Sequence, residues 1–220
     1  MKTLKIIGTK EEITVGKIFC LGRNYIEHAK EMKSEVPTQP IIFLKPQSAI
    51  IHDGETIIKP KISNELHHEV ELVVVISKKG KHIQKNDAFN YILGYAIGLD
   101  MTLRDVQSEA KKKGLPWTLA KGFDTSAPVS DIIPADKIPN PHNLTISCSV
   151  NGVIRQKSST SKMIFTIDNI IEYVSSIFTL ERGDLIFTGT PEGVGEVKPG
   201  DRITAEIENF ISISHPIASA

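Results

Sequence analysis

The sequence predicts an α+β domain in which β-sheet dominates, and three observations carry that reading. Leu144, Ile146, Cys148 and Val150 alternate with polar neighbours and run into Asn151-Gly152, a pair that tolerates positive φ and marks a tight hairpin. The unbroken apolar run Leu72-Val73-Val74-Val75-Ile76 reads as a buried strand. Strong helical periodicity is confined to two stretches, one after Thr102 and one after Thr166.

In chain order, residues 1–16 read as a small strand pair leading into a main body that fills 17–220. Tyr25–Met32 reads as a short helix. The strand at Leu72–Ile76 is preceded by His67-His68-Glu69-Val70-Glu71, and a second apolar run, Tyr95 to Leu99, ends at Asp100. Thr102 and Asp105 resemble a capping box with aspartate in place of glutamate; Leu103, Val106 and Ala110 then share a face, and Gly114 with Pro116 ends the helix. Thr166 begins another helix, whose Ile167, Ile170, Ile171, Val174 and Phe178 form a core-facing stripe. Turns at Glu181–Asp184 and Lys198–Asp201 each precede a strand.

A chain of 220 residues can build one domain with a sizeable core or two small ones, and no repeat or low-complexity linker divides it. Lys+Arg and Asp+Glu are both 26, so no electrostatic footprint for nucleic acid or an anionic membrane is present. Lys111-Lys112-Lys113 suits a solvated helix C-terminus. Cys20 and Cys148 lack metal-ligand spacing and read as buried free thiols. The N-terminus lacks the features of a signal peptide, and no apolar run approaches the roughly 18 residues needed to span a bilayer. A cytoplasmic protein is expected.

The first candidate site is built on carboxylates. Residues two apart on a strand share a face, so Glu69 and Glu71 project together at the mouth of a buried strand. Such a pair repels itself and resists desolvation, so it needs a cation, or one member takes up a proton. Asp100 ends the other apolar run. Three carboxylates without thiolates favour Mg²⁺, Mn²⁺ or Ca²⁺ over Zn²⁺. A solvated Glu-x-Glu strand edge with Asp100 as a helix cap is the plainer alternative, and His67 and His68 read better as structural histidines than as ligands.

The second is His28 with Glu31, neighbours on one helical face, where a carboxylate fixes the imidazole tautomer and raises its basicity. Arg104 is placed to meet an anionic substrate near the carboxylates, and Lys45 and Lys121 sit in apolar surroundings. The glycine-rich Thr188–Gly195 loop lacks the Gly-Lys-Ser/Thr ending of a phosphate loop, but its amides could cradle a carboxylate. A phosphoryl-transfer enzyme and a non-catalytic metal-binding module remain open alternatives at this level.

Taken in order, these segments resemble the fumarylacetoacetate hydrolase superfamily, above all its single-domain acylpyruvate hydrolase and oxaloacetate decarboxylase members. The resemblance runs from about Lys17 to the C-terminus. It rests on Gly-Arg-Asn-Tyr at 22–25 with His28 and Glu31, Phe-Leu-Lys-Pro at 43–46, His-His-Glu-x-Glu at 67–71 and Leu-Asp-Met-Thr at 99–102. Arg-Asp-Val-Gln at 104–107, the 113–121 segment ending in Lys121, and Thr-Gly-Thr-Pro at 188–191 complete it. It implies a mixed β-sandwich roll, a homodimer, and Mg²⁺ or Mn²⁺ held by Glu69, Glu71 and Asp100. It further implies a His28–Glu31 dyad on a lid helix, Lys121 orienting substrate, and Arg23, Gln107 and Thr190 lining the pocket beside Lys45 and Arg104. The activity it implies is Mg²⁺-dependent cleavage of acylpyruvates to pyruvate and a carboxylic acid, with oxaloacetate decarboxylation or keto–enol tautomerisation of a small 2-oxo acid as the alternative at the same site. Two departures separate the chain from fumarylacetoacetase proper: the 16 residues before Lys17 leave no room for its N-terminal domain, and Leu21-Gly22 stands where that enzyme has a further ligand aspartate.

Overall fold

The computed structural model describes residues 1–32 and 35–220. Its centre is a six-stranded mixed sheet ordered Ile133–Pro134, Ile92–Leu99, Val70–Ile76, Leu185–Phe187, Ile18–Gly22 and Ile41–Lys45. All seven residues of Val70–Ile76 are buried, because the sheet is covered on both sides. Leu72, Val74 and Ile76 enter one apolar cluster together with Ile203, Ala205, Ile207 and Ile213 of a second sheet. Val73 and Val75 enter another beneath the N-terminal hairpin, with Leu4, Ile6, Ile13 and Val15. Each fully buried Val or Ile contributes about 1.5–3 kcal/mol to folding, so this strand anchors whatever its ends carry.

The second sheet has five strands, Val153–Ser159, Thr145–Val150, Arg202–Ile207, Ile211–Ser219 and Ile57–Lys59. Two sheets face to face, with few helices, give the expected β-dominated α+β roll. The hairpin at Asn151-Gly152 forms with both residues at positive φ, 52° and 79°. Residues 1–16 form the expected strand pair, Thr3–Lys5 with Glu12–Thr14.

Among the described residues four α-helices decorate the sheets: α1 (Ile26–Glu31), α2 (Arg104–Lys113), α3 (Thr118–Lys121) and α4 (Ile167–Ile177). The α4 stripe Ile167, Ile170, Ile171 and Val174 is buried, and Phe178 beyond it packs on Phe19 with ring centroids 5.1 Å apart. The capping box expected at Thr102 does not form. Thr102–Leu103 is instead a short strand paired with Leu66–His68, which moves the helix start to Arg104. Asp105 accepts hydrogen bonds from Ser63 Oγ and Asn64 N, tying α2 to the preceding loop rather than to its own N-cap. The helix ends as expected at Gly114, in the left-handed region.

Candidate metal and substrate site

The strand expected at Leu72–Ile76 extends back to Val70 but stops short of Glu69. Leu66–His68 belongs to a three-stranded sheet with Thr102–Leu103 and Gly195–Val197, whereas Val70–Ile76 lies in the central sheet. Glu69 is therefore the point where the chain changes sheets. Val70 pairs with Leu99 and Glu71 with Gly98, and Asp100 N donates to Glu69 O at 2.8 Å. That register brings Glu69, Glu71 and Asp100 together, with one carboxylate oxygen from each lying within 4.8 Å of the others. All three are buried, Glu71 and Asp100 to 1% exposure.

Cations surround part of the cluster. Lys121 Nζ bridges Glu69 Oε2 at 2.7 Å and Asp100 Oδ2 at 2.6 Å. Arg104 reaches Glu69 Oε1 at 2.5 Å and Gln107 Oε1 at 2.8 Å. Burial alone would raise the Glu69 carboxyl, but Lys121, Arg104 and His28 hold it well below the usual range. Lys121 is buried too, which would lower it, yet Asp100 and Glu69 keep it raised and so protonated.

Glu71 is treated differently. Its Oε2 accepts only a backbone hydrogen bond, from Gly189 N at 2.7 Å. Burial, then the charges of Asp100 and Glu69, push its carboxyl well above the usual range. Asp100 Oδ1 lies 2.8 Å from Lys45 Nζ but receives no aligned hydrogen bond. A buried carboxyl destabilised by two like charges is the arrangement that a hard divalent cation relieves. The donor set fits such an ion.

Glu69 opens onto a small cavity of about 30 Å³, lined also by Arg23, His28, Arg104, Gln107, Lys121 and Thr190 among others. His28 Nδ1 is 3.3 Å from Glu31 Oε2. Burial pushes the imidazole below its ordinary value of 6.5, so it is neutral at pH 7. Glu31 also accepts from Gly193 N at 3.1 and 3.2 Å, which ties α1 to the Thr188–Gly195 loop. The loop amides thus cradle two of the protein's own carboxylates, Glu71 and Glu31.

Lys45 stands apart from the cavity. It is 3% exposed and lies behind Asp100, where its ammonium donates to Lys121 O, Ser126 O (3.0 Å) and Ser126 Oγ (3.1 Å). His67 accepts from Arg104 Nε at 3.4 Å, and His68 bonds Gln156, consistent with structural histidines. Both cysteines are buried free thiols.

Lys111, Phe43 and Trp117 also line the cavity, although the sequence assigns none of them a role there. Lys111, within the basic run at the end of α2, reaches the cavity and lies 5.2 Å from the Trp117 ring. The side chain is exposed overall, as expected of a solvated helix end, but its ammonium is partly desolvated, and this followed by the charges of Arg104 and Arg23 pushes it down to about 8. Phe43 and Trp117 form an edge-to-face wall, with centroids 5.7 Å apart. Asn24, buried in the Gly-Arg-Asn-Tyr motif, donates to Thr188 O at 2.7 Å and to Phe165 O at 3.0 Å, pinning the start of the glycine-rich loop.

Residues 17–218 match the profile of the fumarylacetoacetate (FAA) hydrolase C-terminal family. The chain belongs to the FAA hydrolase family. It is 54% identical over 196 residues to oxaloacetate tautomerase FAHD1, mitochondrial, of Mus musculus, covering 89% of each chain. It is 53% identical over 192 residues to the oxaloacetate decarboxylase, mitochondrial, of Dictyostelium discoideum, covering 87% of this chain and 88% of that one. Among solved structures, fumarylpyruvate hydrolase from Pseudomonas aeruginosa in complex with Mn²⁺ and pyruvate superposes with a TM-score of 0.96 at 36% identity, covering 100% of this chain and 96% of that one. The family fold and the site geometry therefore point to an enzyme acting on a small substrate. No helix among the described residues is long and apolar enough to cross a membrane.

Proposed function

We propose that this protein is a divalent-metal-dependent, homodimeric enzyme of oxaloacetate chemistry, interconverting the enol and keto forms of the acid or releasing CO₂ from it. The observation that carries the reading is the buried Glu69–Glu71–Asp100 cluster, whose Glu69 lines one cavity with a His28 imidazole held 3.3 Å from Glu31. The names of its 52–54% identical relatives favour oxaloacetate over acylpyruvates.

Glu69, Glu71 and Asp100 would hold Mg²⁺ or Mn²⁺, which supplies positive charge where the 2-oxo oxygen becomes negative. Arg23, Arg104 and Gln107 would bind the substrate carboxylates. With Nδ1–H directed at Glu31, His28 keeps a lone pair on Nε2. That nitrogen removes a proton from C3, and the same proton is returned to the oxygen on C2, so the enol forms with no co-reactant. Lys121, kept protonated between two carboxylates, adds fixed positive charge near that oxygen. In decarboxylation the C3–C4 bond breaks instead, its electron pair forms the enolate, and a proton then adds at C3.

Acylpyruvate hydrolysis is the second reading. It is supported by the same dyad, which could activate water for attack on a distal carbonyl, and by the likeness to fumarylpyruvate hydrolase. EDTA-stripped protein incubated with oxaloacetate and with acetylpyruvate, with and without Mg²⁺, separates the readings. Metal-dependent decay of the enol absorbance without pyruvate marks a tautomerase, pyruvate from oxaloacetate marks a decarboxylase, and pyruvate from acetylpyruvate marks a hydrolase. Silence in all three assays, with metal bound, sinks the proposal.

A further inference from the structure

The Val153–Ser159 strand lies in the sheet opposite the carboxylates, and its outer residues are exposed. Its pairing with Thr145–Val150 slips at one point: Cys148 faces Gln156 and Ser149 faces Ile154, leaving Arg155 as an extra residue. A bulge of this kind re-aims a side chain. Gln156 follows directly after the bulge, on the inward side it shares with Ser158, and is 1% exposed.

Gln156 makes four polar contacts. Its Oε1 accepts from Val70 N at 3.0 Å and lies 2.9 Å from His68 Nδ1. Its Nε2 donates to Thr190 Oγ1 at 2.8 Å and to Pro191 O at 2.9 Å. Val70 is the one residue between Glu69 and Glu71, at the point where the chain changes sheets. Thr190 is a cavity residue on the glycine-rich loop. One amide therefore clamps the backbone between two carboxylate donors to the hydroxyl on the far wall. The bulge also receives the loop directly: Gly193 has φ +92°, and a Cβ there would fall 2.2 Å from Arg155 O. The N–H of that same glycine holds Glu31.

From this geometry we infer that Gln156 is a positioning residue for the site, setting the spacing of Glu69 and Glu71 through Val70 N and orienting the Thr190 hydroxyl toward the ligand. The inference rests on the metal-binding part of the reading above, and its test uses Mn²⁺ and pyruvate binding rather than turnover, so that inactivity on oxaloacetate would sink the proposed reaction and leave this one standing.

Gln156→Met keeps most of the volume and removes all four contacts. In the folded variant, verified by thermal melting, the Mn²⁺ dissociation constant should rise about tenfold, the effect usual for groups that orient metal ligands. Pyruvate affinity of the Mn²⁺-loaded protein should fall as well. Thr190→Val in the Gln156→Met background should weaken pyruvate binding no further, because the hydroxyl has already lost its orientation. Mn²⁺ affinity within about twofold of the parent protein, or pyruvate effects that simply add, would overturn the inference. If Gln156→Met does not fold, Gln156→Glu retains the oxygen facing Val70 and loses the amide donors. Its Mn²⁺ affinity should then hold within about twofold while pyruvate binding weakens in a manner non-additive with Thr190→Val; unchanged or additive pyruvate binding overturns the assignment.

Discussion

Gly193 N donates to both carboxylate oxygens of Glu31, at 3.1 and 3.2 Å. A backbone amide of the glycine-rich loop thus holds the residue that orients His28, and α1 is latched to the loop that also carries Thr190. If Glu31 serves to fix the imidazole, Glu31→Gln should lower kcat about tenfold to a hundredfold while Mn²⁺ affinity stays at the parent value. Because Glu31 is partly exposed, stability should change by no more than about 0.5 kcal/mol. Steady-state kinetics with a metal titration checks this; a kcat that does not move removes the dyad from the chemistry.

Glu71 is the carboxylate that the fold itself supports least. Glu71→Gln removes a buried group pushed upward by burial and by its two acidic neighbours, so the metal-free variant should melt at or above the parent temperature. The rise in Tm that Mg²⁺ or Mn²⁺ gives the parent should disappear in the variant. A variant that still gains stability from the metal would show that Glu71 is not a ligand.

Lys45 is expected to matter for folding more than for catalysis. Its ammonium is satisfied by Asp100 and by oxygens of Lys121 and Ser126. Lys45→Met leaves Asp100 without that partner and strips donors from buried carbonyls, which should cost about 3–5 kcal/mol in urea or thermal unfolding. A loss under about 1 kcal/mol would contradict this structural role.

Acid should destabilise the protein through buried histidines. Burial pushes His28, His68, His142 and His215 below 6.5, and His67 down to about 4. In each case the folded state binds the proton less readily than the unfolded chain. The stability these groups contribute is therefore present above pH 6.5 and is lost as pH falls toward the folded values. Each such proton steepens the decline by up to about 1.4 kcal/mol per pH unit. His215 is fully buried with Nδ1 at 2.9 Å from Glu55 O, and its charged neighbours are Asp53, Glu55 and Arg202 rather than the acids of the site. His215→Gln should flatten the slope between pH 6.5 and 5 by up to one proton; an unchanged slope would refute its share.

Much of this was legible in the sequence, for identifiable reasons. The Asn151-Gly152 hairpin and the α4 stripe follow from local periodicity, which tertiary packing did not override. The carboxylate cluster was visible because three acids sit at the ends of apolar runs, and acids there need a reason. The start of α2 was misplaced because Thr102 makes its bonds to a strand distant in sequence, and no local pattern records that pairing. Lys111 is exposed as expected, and that it also borders the cavity depends on α2 passing beside it, which no local pattern records. Gln156 is invisible for a similar reason: its partners, Val70, His68, Thr190 and Pro191, lie 34 to 88 residues away, and its own strand records none of them.

The sequence separations within the site differ sharply. Arg104 and Lys121 reach Glu69 across 35 and 52 residues, and Lys121 reaches Asp100 across 21. Gly189 reaches Glu71 across 118, Gln156 reaches Val70 across 86, and Gly193 reaches Glu31 across 162. During synthesis from the N-terminus, the acids and the cations that balance them are all available once Lys121 has emerged. The amide that seats Glu71, the glutamine behind Val70 and the latch on α1 arrive only with the last third of the chain. Charge balance is therefore an early-made property of this protein and shape a late-made one, so a chain stopped short of Thr188 would carry the acids of the site but not the loop that forms its far wall.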